Sequence, residues 1–227
     1  MAASFSNQND SPRNMAPIGA LSRFARKQEP PRLVLEHCEF CNTVIPEQHR
    51  HLLALPDHTV VCACNACSLL FGREGGESHK GNKYRVIPTR YLSLTDSQVI
   101  DERWDELMIP VGMAYIFYNS EAGRAVAFYP SPAGATESLL NLECWQTFVE
   151  SNTALRTLQP DVEALLVNRL RGTHEYTIVP IDACYQLVGL IRTLWRGLSG
   201  GEEVWKAIDA FFAEIRAKVS ASLGRSV

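Results

Sequence analysis

Cys38-Glu39-Phe40-Cys41 and Cys64-Asn65-Ala66-Cys67, with 22 residues between the two pairs, decide how this chain is read. Two residues between cysteines let both sulfurs turn toward one ion from a tight backbone knuckle, and two such pairs supply the tetrahedral four-thiolate set that zinc favours. The intervening segment fits that purpose. Residues 52–55 and 59–61 can pair as a short hairpin through Pro56-Asp57-His58, which brings the second pair beside the first. The residues after Cys64 read as a helix start, with the second pair on its first turn. Knuckle, hairpin and helix start predict a treble-clef finger; a zinc ribbon, with both pairs on knuckles, is the alternative. A segment this small cannot fold on apolar burial alone, so the metal is expected to supply much of its folding energy.

The predicted ligands are therefore Cys38, Cys41, Cys64 and Cys67, and the predicted cofactor is zinc. Iron in a rubredoxin-like site uses the same ligands and is the chemical alternative. Cys62 offers a third thiol for the second pair. The two-residue spacing favours 64 and 67, which leaves Cys62 as a substitute ligand, a buried neighbour at the strand end or a redox-competent thiol. His37, His49 and His51 lie close enough to substitute as well and are read as polar surface residues. Cys144 and Cys184 fall on apolar helix faces and are read as core.

Outward from the finger, the chain has 227 residues, 46% hydrophobic and 21% charged, with a formal charge of -3. That balance offers no global basic field for a nucleic-acid backbone, so a nucleic-acid partner is not expected. No apolar run reaches the roughly 20 residues of a membrane-spanning helix, and the first 30 residues lack the apolar stretch of a secretion signal. Five of the seven cysteines crowd between positions 38 and 67. In a chain without an export signal, that reads as metal binding in the reducing cytoplasm.

Four segments are expected. Residues 1–32 are a disordered tail, polar and proline-rich, with a short basic amphipathic stretch at 20–27. Residues 33–71 are the four-cysteine module, and the glycine-rich 72–83 a flexible linker. Residues 84–220 are an α+β domain, an antiparallel sheet covered by helices. In that domain, 84–88, 111–118, 124–129, 162–168 and 175–179 read as strands, and 130–136 as a loop. A helix is expected over 96–107, and Asn141 is the N-cap of another. Two amphipathic helices close the chain, one carrying Cys184, Leu187, Ile191 and Leu194, the other Val204, Ile208, Phe211 and Ile215.

Nothing in this pattern announces catalysis, and no catalytic residue is assigned. Phosphate-cradling glycine loops, nucleophile elbows and His-Glu-x-x-His are all missing from the sequence. His174 reads as an exposed loop histidine, Asp101, Glu102, Asp105 and Glu106 as a solvated helix face, and Tyr115, Phe117, Tyr118, Phe128 and Tyr129 as sheet core or the lining of a cleft. His49-Arg50-His51 with Asp57-His58 partly resembles the His-rich hairpin of zinc-finger nucleases, but no histidine follows Cys67 on its helix to complete that site.

Several longer stretches carry a family resemblance: Cys38-Glu-x-Cys41, His49-Arg-His-Leu, Cys62-Ala-Cys-x-Ala-Cys67, Ile109-Pro-Val-Gly, Ala127-Phe-Tyr-Pro-Ser-Pro-Ala-Gly-Ala-Thr-Glu137, Asp161-Val-Glu-Ala-Leu-Leu and Val179-Pro-Ile-Asp-Ala-Cys-Tyr185. Over about residues 33–215 the chain resembles an uncharacterised bacterial family with a domain of unknown function, encoded beside actinobacterial-type nickel–iron hydrogenases. The resemblance implies a hydrogenase accessory or maturation role, with a hydrogenase subunit or maturation factor as protein partner. Nickel-delivery factors with a similar four-cysteine module use a histidine directly after the initiator Met; position 2 here is Ala. The combined expectation is a zinc-containing adaptor acting by protein–protein binding, with iron-based electron transfer as the alternative and a nuclease-like enzyme behind both.

Overall fold

Residues 52–54 and 59–61 pair as the expected hairpin, with Leu55 already in the turn. Strand β1 (Arg50–Ala54) runs antiparallel to β2 (Thr59–Ala63), with Leu52 opposite Val61 and His51 opposite Cys62. Helix α1 (Asn65–Phe71) follows directly. A lone hairpin would leave one edge of β1 unpaired, and two strands are marginal by themselves. Here β3 (Tyr84–Val86) fills that edge, with Leu52 opposite Val86. The sequence assigns residues 84–88 to the downstream domain; in the fold their strand completes the sheet of the cysteine module.

The structure, a computed structural model, describes residues 35–72, 83–95 and 97–223. The expected tail over 1–32, its basic stretch at 20–27 and residues 73–82 of the linker expected over 72–83 lie outside these residues.

The second sheet has six antiparallel strands: β4 (Leu92–Ser93), β5 (Met113–Asn119), β6 (Arg124–Ser131), β7 (Gly134–Ser138), β8 (Glu163–Asn168) and β9 (Glu175–Pro180). Their spatial order is β4-β9-β8-β5-β6-β7. In β5, Met113, Tyr115 and Phe117 fall on one face and Ala114 and Ile116 on the other, and all five are buried. A sheet apolar on both faces needs cover on both. Helices α2 (Gln98–Glu102) and α3 (Leu142–Ser151) cover the face of Ala114, Ile116, Leu165 and Ile178 with Ile100, Trp145 and Phe148. Helices α4 (Ile181–Leu194) and α5 (Glu202–Leu223) cover the opposite face with Leu187, Ile191, Ile208 and Phe211. Asn141 caps α3 as expected, accepting the N–H groups of Glu143 and Cys144 at 3.2 Å each. The fold is thus mixed helix and antiparallel sheet, with five α-helices among the described residues.

Leu53 and Ile87 pack into the same core as α4 and α5, with Leu55 and Val60 against it. Polar contacts join the finger, and the segment that follows β3, to the second sheet and its helices. Arg85 of β3 meets the buried Asp161 at 2.8 Å. Arg90 grips Glu163 bidentately, at 2.9 and 2.7 Å, and His51 of β1 meets Asp182 of α4 at 2.7 Å.

Two local expectations are corrected. Residues 130–136 are not a loop: β6 runs on to Ser131 and β7 pairs back from Gly134, with Pro130 opposite Ala135. Pro130 is tolerated because the β5–β6 pairing has already ended at Phe128, so its missing N–H interrupts no ladder on that side. The helix expected over 96–107 also divides. α2 stops at Glu102, and Trp104–Leu107 form a 3-10 turn that keeps Trp104 and Leu107 buried. Met108 ends it at φ 65°, ahead of Pro110.

Candidate metal centre

The first cysteine pair occupies a tight turn. Cys38 N–H donates to the Thr43 carbonyl and Asn42 N–H to the Cys38 carbonyl, each at 2.8 Å. Asn42 takes φ 59°, a left-handed conformation that Asn adopts more readily than most residues. The second pair occupies a helix start. Cys64 is the N-cap of α1, and its sulfur accepts the Cys67 N–H at 3.4 Å. Phe40, inside the first pair, stacks on Phe71 at 4.6 Å and meets the edge of Tyr84 at 5.1 Å. The knuckle is thereby clamped to the end of α1 and to β3. At Gly72, where the chain leaves α1, a Cβ would fall 2.4–2.6 Å from Val86, the Ser68 carbonyl and Leu52, so only glycine fits.

This scaffold brings together all four predicted cysteines. The sulfurs of Cys38, Cys41, Cys64 and Cys67 lie within 4.8 Å of one another, and those of Cys41 and Cys64 are 3.8 Å apart. A tetrahedral ion with metal–sulfur bonds of about 2.3 Å sets its sulfurs about 3.8 Å apart. All seven cysteines are free thiols, so the spacing is not that of a disulfide. The electrostatics also call for a cation. Burial pushes the Cys38 thiol up, but backbone amides of Cys64, Cys41 and Phe40 outweigh it and bring the group down to about 6. Cys67 is pushed up to about 12, by burial and then by the sulfurs of Cys64, Cys41 and Cys38. Four thiolates this close repel one another unless a positive ion sits among them, and binding that ion releases their protons. The donor set fits zinc and fits iron.

Cys62 is not part of this group. It points from the other face of the hairpin, opposite His51, and its sulfur lies within 4.8 Å of the ring nitrogens of His49 and His51. The reading of His49 as a surface residue is corrected: its side chain is 5% exposed, whereas that of His51 is 33% exposed. Burial, and then the carboxylates of Glu39 and Glu36, push the Cys62 thiol up, the opposite of the electropositive surroundings that activate a redox cysteine. His37 pairs in a β-bridge with Val44 and is exposed.

The remaining candidates disperse. Asp57 binds the Thr59 hydroxyl at 2.9 Å in the hairpin turn, and His58 lies beside it facing Phe117. The turn is at the opposite end of the hairpin from His49 and His51, so the four do not form one site. Tyr115 and Phe117 are buried and stack with Phe128 in the sheet core. Cys144 and Cys184 are buried. Asp101 is not on a free solvated face: it accepts hydrogen bonds from His174 and, at 2.6 Å, from the Tyr176 hydroxyl. Arg169 lies 3.5 Å from its carboxylate. This network ties α2 to β9.

No helix among the described residues is long and apolar enough to cross a membrane. In comparison with known proteins, residues 37–219 match the model of a family described as one of unknown function, DUF5947. No curated protein matches the chain, and no solved structure does.

Proposed function

Because the chain belongs to the family DUF5947, for which no activity is described, its own residues must carry the reading, and we propose that it is a zinc-containing adaptor that binds a protein partner through the finger. The single observation behind this is the position of α1. Its first turn carries two of the four thiols, while Leu69 and Leu70 on the same helix are 82% and 76% exposed. Leu69 lines a groove on the finger together with Arg50, Asn65, Ser68, Gly72 and Val86. Exposed apolar neighbours on a rigid, metal-anchored helix are the makings of an interface. Knuckle, hairpin and a helix begun by the second pair support the treble-clef form over the ribbon, and zinc is the ion we assign to it.

The partner to test first is a hydrogenase subunit or maturation factor, on the family resemblance. Purification of the native chain and of Leu69→Glu from the source cells should recover such a partner with the former and lose it with the latter. Recovery by neither overturns the reading. Iron and electron transfer form the second reading, favoured by the exposure of Cys41 at the edge of the site. Elemental analysis and colour separate the two, since a ferric four-thiolate site is red and zinc is colourless.

A further inference from the structure

The two histidines on the hairpin have their outer nitrogens committed. His49 Nδ1 lies 2.9 Å from the Pro46 carbonyl oxygen and 3.4 Å from a Glu36 carboxylate oxygen. His51 Nδ1 lies 2.7 Å from a carboxylate oxygen of Asp182. Each of these partners only accepts, so each Nδ1 must carry the ring proton. In a neutral ring that leaves Nε2 as a bare lone pair. The two Nε2 atoms face each other at 3.1 Å, and two lone pairs at that distance repel unless something positive lies between them. A proton could bridge two nitrogens. It has no use for a third donor, and here the Cys62 sulfur converges on the same space, all three atoms lying within 4.8 Å of one another.

We propose that His49 Nε2, His51 Nε2 and Cys62 Sγ form a second metal site, separate from the four-thiolate group, for a divalent transition ion of the zinc class. The donor set is right for such an ion: two imidazoles and a thiolate suit the borderline-soft metals and not magnesium or calcium. The spacing is right too. With metal–nitrogen bonds of about 2.05 Å, a nitrogen separation of 3.1 Å corresponds to an angle of about 98°, within the range of a distorted tetrahedron. Most telling is the outer shell. Ligating histidines characteristically donate the other ring N–H to a carboxylate or a backbone carbonyl, and this site supplies one of each, Asp182 and Pro46. Three protein ligands leave the fourth position for an exchangeable water, in contrast to the closed set of four cysteines.

The site also accounts for Cys62, a thiol that the four-cysteine group does not require. On binding, the metal takes the place of the thiol proton, which leaves to solvent.

The test is a titration of the full, chelator-stripped chain with cobalt(II), followed optically and checked by elemental analysis after reloading with zinc. The native chain should bind two equivalents. His49→Gln with His51→Gln should bind one and retain the sulfur-to-cobalt absorption of the four-thiolate group. Cys62→Ser should weaken the second equivalent while leaving the first. Asp182→Asn, which touches no metal, should weaken the second equivalent by about 10–100-fold and leave the four-thiolate equivalent unchanged. One equivalent in the native chain, or two in the double glutamine variant, overturns the proposal. An unaltered second equivalent in Cys62→Ser would reveal adventitious binding and overturn it equally. The four-thiolate equivalent is read in the same experiment, so failure of the second site is distinguishable from failure of the finger.

Discussion

Replacing Glu163 by alanine should be among the most damaging single changes outside the metal centre. Its side chain is fully buried, and both carboxylate oxygens are used. Arg90 donates to them at 2.9 and 2.7 Å, and the backbone N–H of Gln159 donates at 2.9 Å. Removing one partner of a buried ion pair costs about 3–5 kcal/mol, because the other charge is left without a counterpart. The Arg90 side chain is 36% exposed and can turn partly to water, which lowers the expected loss to about 2–4 kcal/mol. For a protein of this size that corresponds to a fall in Tm of about 4–16 °C. Urea unfolding of the metal-loaded chain measures it directly. The same logic predicts that Arg90→Met combined with Glu163→Leu costs less than Glu163→Leu alone, since no charge is then stranded. A loss under about 1 kcal/mol for Glu163→Ala, or a double variant worse than the single, would refute the assignment of this pair as a buried fastener.

If the finger draws its folding energy from metal as proposed, chelation should remove hydrogen-exchange protection from β1–β3 while β5 and β8 stay protected; unchanged exchange would contradict this. Gly72→Ala should cost about 1–3 kcal/mol through overpacking against Leu52 and Val86, read as a lower urea midpoint with metal bound. Asp101 supplies a pH signature. Burial pushes its carboxyl up, but hydrogen bonds from His174 and Tyr176, with the charges of His174 and Arg169, outweigh burial and hold it below its ordinary value. A carboxyl depressed in the folded state stabilises above its unfolded pKa of about 4 and loses that contribution as pH falls through the folded value. Asp101→Asn should therefore be less stable than the native chain at pH 7 by about 1–3 kcal/mol. That gap should close in acid, and a constant gap down to pH 2 would exclude the linkage.

The parts of the molecule that sequence made legible are those where a local rule acts alone. Cysteine spacing located the four-thiolate group because a two-residue gap lets both sulfurs of a pair face one ion, on a tight turn or on a helix start alike. Amphipathic stripes located α4 and α5, and the density of aromatic and β-branched residues located β5 and β6. What escaped depends on contacts between distant segments. β3 could not be assigned to the finger from its own residues, because the strand it pairs with, Arg50–Ala54, lies far earlier in the chain. Asp101 looked like part of a solvated face until β9 brought His174 and Tyr176 to it. The His49–His51–Cys62 group was nearest to discovery. Extending the hairpin register one step from Leu52 opposite Val61 puts His51 across from Cys62. Judged singly, each histidine looked like surface, and the burial of His49 is a tertiary fact.

The placement of β3 and Ile87 has a further consequence, for inheritance. Four cysteines within 30 residues look like a cassette that recombination could move from gene to gene. In this chain a crossover between positions 72 and 83 would strip β1 of its neighbour β3, and Asp182 of its partner His51. The donated piece would carry an open edge on β1, and the remainder would carry β3 with no strand beside it. Finger and sheet are therefore a single heritable unit, and the family boundary at residues 37–219 encloses both.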